Sequence, residues 1–252
     1  MPAIHNDLSS FLLIALAGFY AGTQNVLAGG GSFITFPALL LFGLNPLAAN
    51  MTSTIALFPN QITSAVAGRS LLSDVGPIPF RRLFFVSCFG GICGAILLLN
   101  TPVTFFAKLV PWLVLFATSV FAWGSFRSKP LHVAHVVPPS VLISIQICIA
   151  IYGGYFGGGI GFLMLAALTI AGLPIRAASA NKNFLAMAMN ASAVVIFAFS
   201  KLVHWPAVIA LGLGGIAGGF TGAWLMHRVP EKLLRGFIII VGALLTVWLF
   251  IR

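Results

Sequence analysis

Lys182 is the residue whose type and position most clearly suggest chemistry. It lies in a largely apolar segment, about two turns into a predicted helix, where an ammonium group is costly without a partner. The chain has only three carboxylates, Asp7, Asp74 and Glu231, and all three fall in predicted loops or the terminus. A bound small anion is the partner that this pattern predicts. The alternative is a lysine that snorkels to the membrane surface.

Polar side chains share one face of the helix that carries Lys182, and the same is true of a matching helix earlier in the chain. Polar groups in hydrocarbon must face the protein interior or an aqueous cavity, so these faces predict a substrate site. Hydrogen bonds between helices are the alternative explanation. The candidates on the two helices are Asn50, Thr52, Ser53, Gln61, Asn181, Lys182, Asn183 and Asn190.

Two glycine-rich breaks, at residues 28–32 and 157–161, each precede a short apolar segment. Consecutive glycines expose backbone N–H groups, and a helix N-terminus that follows them attracts anions. Close helix packing is the alternative, and we prefer it for the two mid-helix glycine pairs at 90–91 and 218–219. The substrate-binding candidates from the breaks are Gly29, Gly30, Gly31, Ser32, Gly158, Gly159 and Gly161.

The elements that carry these residues occur twice. With an offset of 129, Gly29-Gly30 aligns with Gly158-Gly159 and Gly43-Leu44 aligns with Gly172-Leu173, without a gap. Residues 1–128 and 138–252 are therefore read as homologous halves of a single membrane domain, 1–252, joined by a polar, proline-containing loop.

The sequence of each half predicts a first helix, a short helix and then three long helices. The ranges are about 9–27, 32–42, 47–67, 80–99 and 104–125, then 139–156, 161–171, 176–199, 205–226 and 232–251. The short segments hold too few residues to cross a bilayer at 1.5 Å per residue, so they predict re-entrant or half helices and about eight spans in total.

The basic residues suggest that the halves are inverted relative to each other. The loop after the third element carries Arg69, Arg81 and Arg82 in the first half but only Lys201 and His204 in the second. The next loop reverses this bias, as the positive-inside rule expects of halves with opposite orientation.

Composition places the chain in lipid. Of 252 residues, 60% are hydrophobic and 6% are charged, and the mean hydropathy is +1.10. Apolar runs of about 20 residues recur, which predicts an all-α, polytopic integral membrane protein rather than a barrel.

The basic residues behind the net charge of +10 are scattered over the ends of apolar segments, which predicts no nucleic-acid partner. The N-terminus lacks a basic signal-peptide region, so the first helix is expected to be retained. The three cysteines predict neither disulfides nor a zinc site.

The chain resembles the TauE/SafE family of sulfite exporter and anion permease proteins. The residues that carry the likeness are the glycine-rich turn after the first helix, the Gly-Leu then Ala-Ala pattern, and the helix start Asn50-Met51-Thr52-Ser53. The resemblance implies transport of sulfite, sulfonates or related sulfur-containing anions through the inner membrane. The second half departs from the family's small polar motif, because Asn181-Lys182 brings a cation to this position.

These observations predict a secondary transporter of a small anion, with no cofactor and no metal. No Walker motif is present, which argues against ATP energisation within this chain. An enzyme would need an intramembrane acid, base or metal cluster that the sequence does not offer, so we expect none. An anion channel and a membrane scaffold without transport remain alternatives. The substrate, the direction, the coupling ion and the oligomeric state stay open.

Overall fold

The computed structural model describes residues 8–27, 30–126, 138–225 and 231–251, and within these ranges the protein is helical. A 3-10 turn, Arg69–Leu71, and an isolated bridge between Val75 and Ile78 lie in the loop before α4. The helices are α1 Leu8–Leu27, α2 Ser32–Leu41, α3 Pro46–Ala67, α4 Phe80–Leu99, α5 Val103–Phe126, α6 Pro139–Tyr155, α7 Ile160–Ile170, α8 Ile175–Phe197, α9 Trp205–Leu225 and α10 Glu231–Ile251.

Every predicted helix is found, and each end lies within two residues of its predicted position. The prediction was wrong in one detail: Glu231 is the first residue of α10 and not part of the preceding loop. Asp74 lies in a loop as predicted, whereas Asp7 is outside the described residues.

The turns after the two short helices have the same conformation. Gly43 and Gly172 have φ values of 104° and 96°, a region that L side chains rarely adopt. The N–H of Leu44 bonds to the carbonyl of Leu39 over 3.1 Å, and that of Leu173 bonds to Leu168 over 3.1 Å. Both short helices thus end in a glycine-based C-cap that lets the next long helix begin a few residues later.

Three of the described helices are long and apolar enough to cross a membrane by length and composition. Their apolar stretches are Phe80–Leu99, Val103–Ser125 and Trp205–Gly222. Shorter apolar helical stretches are Ser32–Leu41, Pro139–Tyr155, Ile160–Ile170 and Gly236–Ile251. The total of eight spans stays a prediction.

The chain forms two compact units that do not coincide with its two halves. Unit 1 comprises Met1–Asn60, Thr101–Ser119 and Phe197–Arg252, and unit 2 comprises Gln61–Asn100 and Val120–Ile196. Each unit therefore draws helices from both halves of the sequence.

In unit 1, α1 packs along α9, while α2 contacts α1 and α10. Glycines set the first of these contacts. A β-carbon at Gly218 would overlap the carbonyl oxygen of Phe19, and one at Gly22 would overlap that of Gly215. Such close backbone approach is possible only because these positions lack side chains.

In unit 2, α4 packs along α6 in the same manner. A β-carbon at Gly90 would overlap the side chain of Ala150, and one at Gly94 would overlap the carbonyl oxygen of Ile151. The prediction that the mid-helix glycine pairs serve close packing is confirmed. Around this contact, α7 and α8 complete an apolar core that includes Met164, Leu168, Leu185 and Met189, all buried.

The two helix pairs, α1 with α9 and α4 with α6, consist of corresponding elements of the predicted repeat. By the repeat, α1 corresponds to α6 and α4 corresponds to α9. Each unit thus joins the first helix of one half to the fourth element of the other. Each predicted half therefore depends on the other for one of these contacts.

Candidate functional site

The glycine break in unit 2 has backbone that only glycine adopts easily. Gly157 and Gly159 have φ values of 81° and 74°, and Gly159 is the N-cap residue of α7. The carbonyl of Gly159 accepts from Phe162 at 3.1 Å. The earlier N–H groups of the first turn, at Ile160 and Gly161, have no preceding helical carbonyl to bond. They form the positive end of the α7 dipole, which favours an anion.

Lys182 lies next to this helix start. A β-carbon at Gly161 would stand 3.7 Å from Lys182 Cδ, so the aliphatic part of the lysine runs past the first turn of α7. The structure therefore brings together two residues that the sequence singled out separately, one in the break and one on the polar helix α8. The aliphatic part of the Lys182 side chain and the first turn of α7 are thus neighbours in unit 2.

No carboxylate of the described residues pairs with this ammonium. Asp74, the acidic side chain that the structure describes in unit 2, accepts a hydrogen bond from the N–H of Phe80 over 2.7 Å. It caps the start of α4 in this way. A cluster of metal-ligating residues is likewise absent from the described part of the chain.

Three other candidates in unit 2, Asn181, Asn190 and Gln61, form hydrogen bonds within the protein itself. The side-chain amide of Asn181, fully buried, donates to the carbonyl of Ser73 at 2.7 Å and its oxygen accepts from the Ser73 N–H at 3.2 Å. Asn190 donates to Gln61 Oε1 at 2.8 Å. Asn183 is half-buried on α8 and Gly158 is buried in the break. Asn181 thus holds the loop before α4.

The equivalent break lies in unit 1. Gly30 has a φ of 83° and occupies the repeat position of Gly159. Gly31 is the N-cap residue of α2, and a β-carbon there would stand 3.0 Å from the carbonyl oxygen of Ala21 on α1. Ser32 is the first residue of α2. The prediction for Gly29 falls outside the described residues.

The polar start of α3 is bonded to neighbours on both sides. Ser53 Oγ and Thr35 Oγ1 share a hydrogen bond of 2.6 Å, and both side chains are buried. The hydroxyl of Thr52 accepts from the N–H of His204 at 3.2 Å. Asn50 is buried on the same helix, and its carbonyl accepts from Thr54 Oγ1 at 2.9 Å.

The two units place equivalent residues in equivalent roles with different chemistry. Ser53 and Lys182 share one repeat position; Ser53 bonds to the short helix of its unit, and the side chain of Lys182 lies near the start of the short helix of its own unit. Thr52 and Asn181 share the preceding position, and each bonds the backbone of a loop from the other half. Unit 1 therefore presents a neutral hydroxyl pair where unit 2 presents a cation.

The sequence did not reveal Thr35, Ser73 or His204 as parts of these arrangements. Thr35 carried a signal, since it is the sole hydroxyl-bearing residue in the interior of the apolar helix α2. The ring of His204 accepts a hydrogen bond from the N–H of Ala207 at 3.2 Å, a role that its position in a loop did not indicate. Burial lowers the pKa of this imidazole below its ordinary range.

Apolar helices in a duplicated, glycine-broken array, with buried polar residues at the helix starts, define a polytopic membrane protein of the transporter class. The chain belongs to the family described as Sulfite exporter TauE/SafE, which matches residues 14–249.

Relatives carry names of the same class. A probable membrane transporter protein of a Sinorhizobium species is 29% identical over 246 residues, which cover 96% of this chain and 93% of that protein. A probable membrane transporter protein of Haemophilus influenzae is 24% identical over 246 residues, covering 95% of each chain. One of Bacillus subtilis is 25% identical over 267 residues, covering 92% of this chain and 96% of that protein. No solved structure gives a significant match.

Proposed function

We propose that this protein is a secondary carrier that moves a small sulfur-containing anion, such as sulfite or a sulfonate, across the inner membrane. The observation that carries the proposal is the closeness of the Lys182 side chain to the start of α7, where a β-carbon at Gly161 would stand 3.7 Å from Lys182 Cδ. Membership of the TauE/SafE family supports the substrate class.

The chemistry of the site favours an oxyanion. The ammonium of Lys182 supplies a full positive charge, and the first-turn N–H groups of α7 supply directed donors. Hydrogen bonds to a charged group contribute about 1.5–3 kcal/mol each, roughly twice a neutral one. A sulfonate or sulfite presents several oxygens on one small centre, so it can meet the lysine and the helix start together.

The membrane potential is sufficient to move such a substrate. One elementary charge crossing 100 mV corresponds to about 2.3 kcal/mol. An anion bound by a single lysine would carry net charge through the cycle or exchange for a second anion. Either route needs no ATP site.

Labelled methanesulfonate and sulfite flux into proteoliposomes that hold the purified chain tests the proposal. We expect saturable flux and acceleration by unlabelled substrate inside, as carriers show and channels do not. Lys182→Gln should lower flux about tenfold or more, since it removes a charged hydrogen bond. Lys182→Arg should retain part of the activity because the charge remains. Lys201→Gln, a change at an exposed lysine, is the matched control.

Three results would contradict parts of the proposal separately. Equal flux in Lys182→Gln and Lys201→Gln would remove Lys182 from the site. Linear flux without counter-exchange would favour an anion channel. Folded protein with no flux of any sulfur oxyanion would exclude the substrate class.

A further inference from the structure

We propose that His204 is a proton-binding site that regulates transport, because protonation of its ring releases the start of α9 and the contact with Thr52 in unit 1. The effect on flux rests on the proposed carrier function. The proton site itself does not, and it can be tested apart from transport.

The ring of His204 caps α9. His204 is the residue before Trp205, where α9 begins, and its Nδ1 accepts the N–H of Ala207 over 3.2 Å. Its carbonyl accepts from Val208 at 3.0 Å. This is the position at which a side-chain acceptor satisfies an otherwise unbonded first-turn N–H. Only the neutral imidazole with its proton on Nε2 can accept at Nδ1.

Two aromatic rings hold the imidazole in place. The ring of Phe11 on α1 stacks on it with centroids 6.4 Å apart and an angle of 23°. The ring of Phe42, at the end of α2, meets it edge-on at 5.5 Å and 73°. His204 keeps part of its surface exposed and lies just before the start of α9, so we expect it to exchange protons at the end of that helix.

The backbone of His204 links this cap to the candidate site of unit 1. Its N–H donates to the hydroxyl of Thr52 over 3.2 Å. Thr52 directly precedes Ser53, which pairs with Thr35 beside the glycine break. Displacement of residue 204 would therefore remove a bond to the polar start of α3, one residue from the contact with α2.

Among the described residues that pack against the ring, no charged side chain is present to stabilise an imidazolium. The helices α1, α2, α3 and α9 contain no Asp, Glu, Lys, Arg or His between their ends. The one other ionisable side chain on them, Tyr20 of α1, packs against Phe237. Lys201 lies in the same loop, is exposed and is a like charge.

Three factors oppose protonation of the His204 ring. Burial lowers the pKa of His204 and outweighs a hydrogen bond with its own backbone, which acts in the opposite direction. The positive end of the α9 dipole repels an imidazolium, and protonated Nδ1 faces the N–H of Ala207 donor to donor. Mild acid therefore drives the ring out of its cap. We expect the neutral, capped form to support transport and the protonated form to slow it.

Methanesulfonate uptake at pH values from 8 to 5 tests this, because the charge of that substrate does not change over the range. Wild-type flux should fall on acidification, by at most about tenfold per pH unit for one titrating proton. His204→Asn should keep the cap, since Asn is a favourable N-cap residue, and should show flat flux. Lys201→Gln is the control and should keep the wild-type slope. His204→Ser, another good N-cap, replaces His204→Asn if that variant folds poorly.

Thermal unfolding of the same proteins in detergent across this pH range gives a readout without transport. The wild type should lose stability relative to His204→Asn as the pH falls. The regulation would be overturned if wild-type flux did not change with pH, or if flux changed with pH equally in the wild type and in His204→Asn. Either result would leave the carrier function intact. A pH-independent difference in unfolding temperature would overturn the proton site, even if no flux were measured at all.

Discussion

The side-chain amide of Asn190 donates a hydrogen bond to Gln61 Oε1 over 2.8 Å, and the two residues are 129 positions apart. This is the offset of the repeat, so the bond joins the same position of α3 and α8. Equivalent residues touch each other where a twofold axis relates two copies. The bond therefore joins matching positions of the two predicted repeats. The inverted orientation of the halves stays a prediction.

This bond should be worth a measurable part of the stability. Asn190→Leu leaves Gln61 Oε1 without its donor, and hydrogen bonds between membrane helices contribute about 0.6–2 kcal/mol. We expect the free energy of unfolding in detergent to fall by about that amount. The double variant with Gln61→Leu should lose less than the sum of the single variants, because it leaves no unpaired group. If the losses in free energy of unfolding of the two single variants simply added up in the double variant, the two residues would not be coupled.

Asn181 is expected to act as a tether for the loop before α4, and not as a substrate ligand. Its amide makes two bonds to the backbone of Ser73 and is fully buried. Asn181→Leu should therefore lower the free energy of unfolding by about 1–3 kcal/mol. The neighbouring Asn183, half-buried, is the control. If Asn183→Leu destabilised the protein as much as Asn181→Leu, the tether would be excluded.

The helices could be predicted because their signals are local. Apolar length, the Gly-Leu turns at Gly43 and Gly172, and the glycine breaks each act within about ten residues, so ends could be placed closely. The role of the mid-helix glycines was predictable for a similar reason. Small residues in a membrane helix have few other uses than close approach.

The contacts between halves were not predictable in the same way. The bond of Thr52 to His204 spans 152 positions, and that of Asn181 to Ser73 spans 108. No local pattern distinguishes a polar residue that binds substrate from one that bonds a distant loop. The structure places the Lys182 side chain near Gly161 and pairs Thr52 and Asn181 with backbone groups, so the polar candidates of α3 and α8 differ in their partners.

Close packing of α1 on α9 should depend on glycine. Gly218→Ala would force the carbonyl of Phe19 away, and overpacking a tight contact costs about 1–3 kcal/mol. Gly236 on α10 has nothing within 4 Å of the added carbon, so Gly236→Ala should be neutral or stabilising by up to about 1 kcal/mol. The test is to measure the free energy of unfolding of both variants in detergent. Similar destabilisation by both would argue against the packing.

Substitutions in the second break should separate backbone strain from contact with Lys182. Gly159 has a φ of 74°, where an L side chain costs about 1–2 kcal/mol, so Gly159→Ala should destabilise the protein by about this amount. A β-carbon at Gly161 would meet Lys182 Cδ at 3.7 Å, an ordinary contact. Gly161→Ala should therefore fold normally and alter the flux of methanesulfonate alone. Unfolding and flux measured on both variants test this, and normal flux in a folded Gly161→Ala protein would count against a substrate between Lys182 and α7.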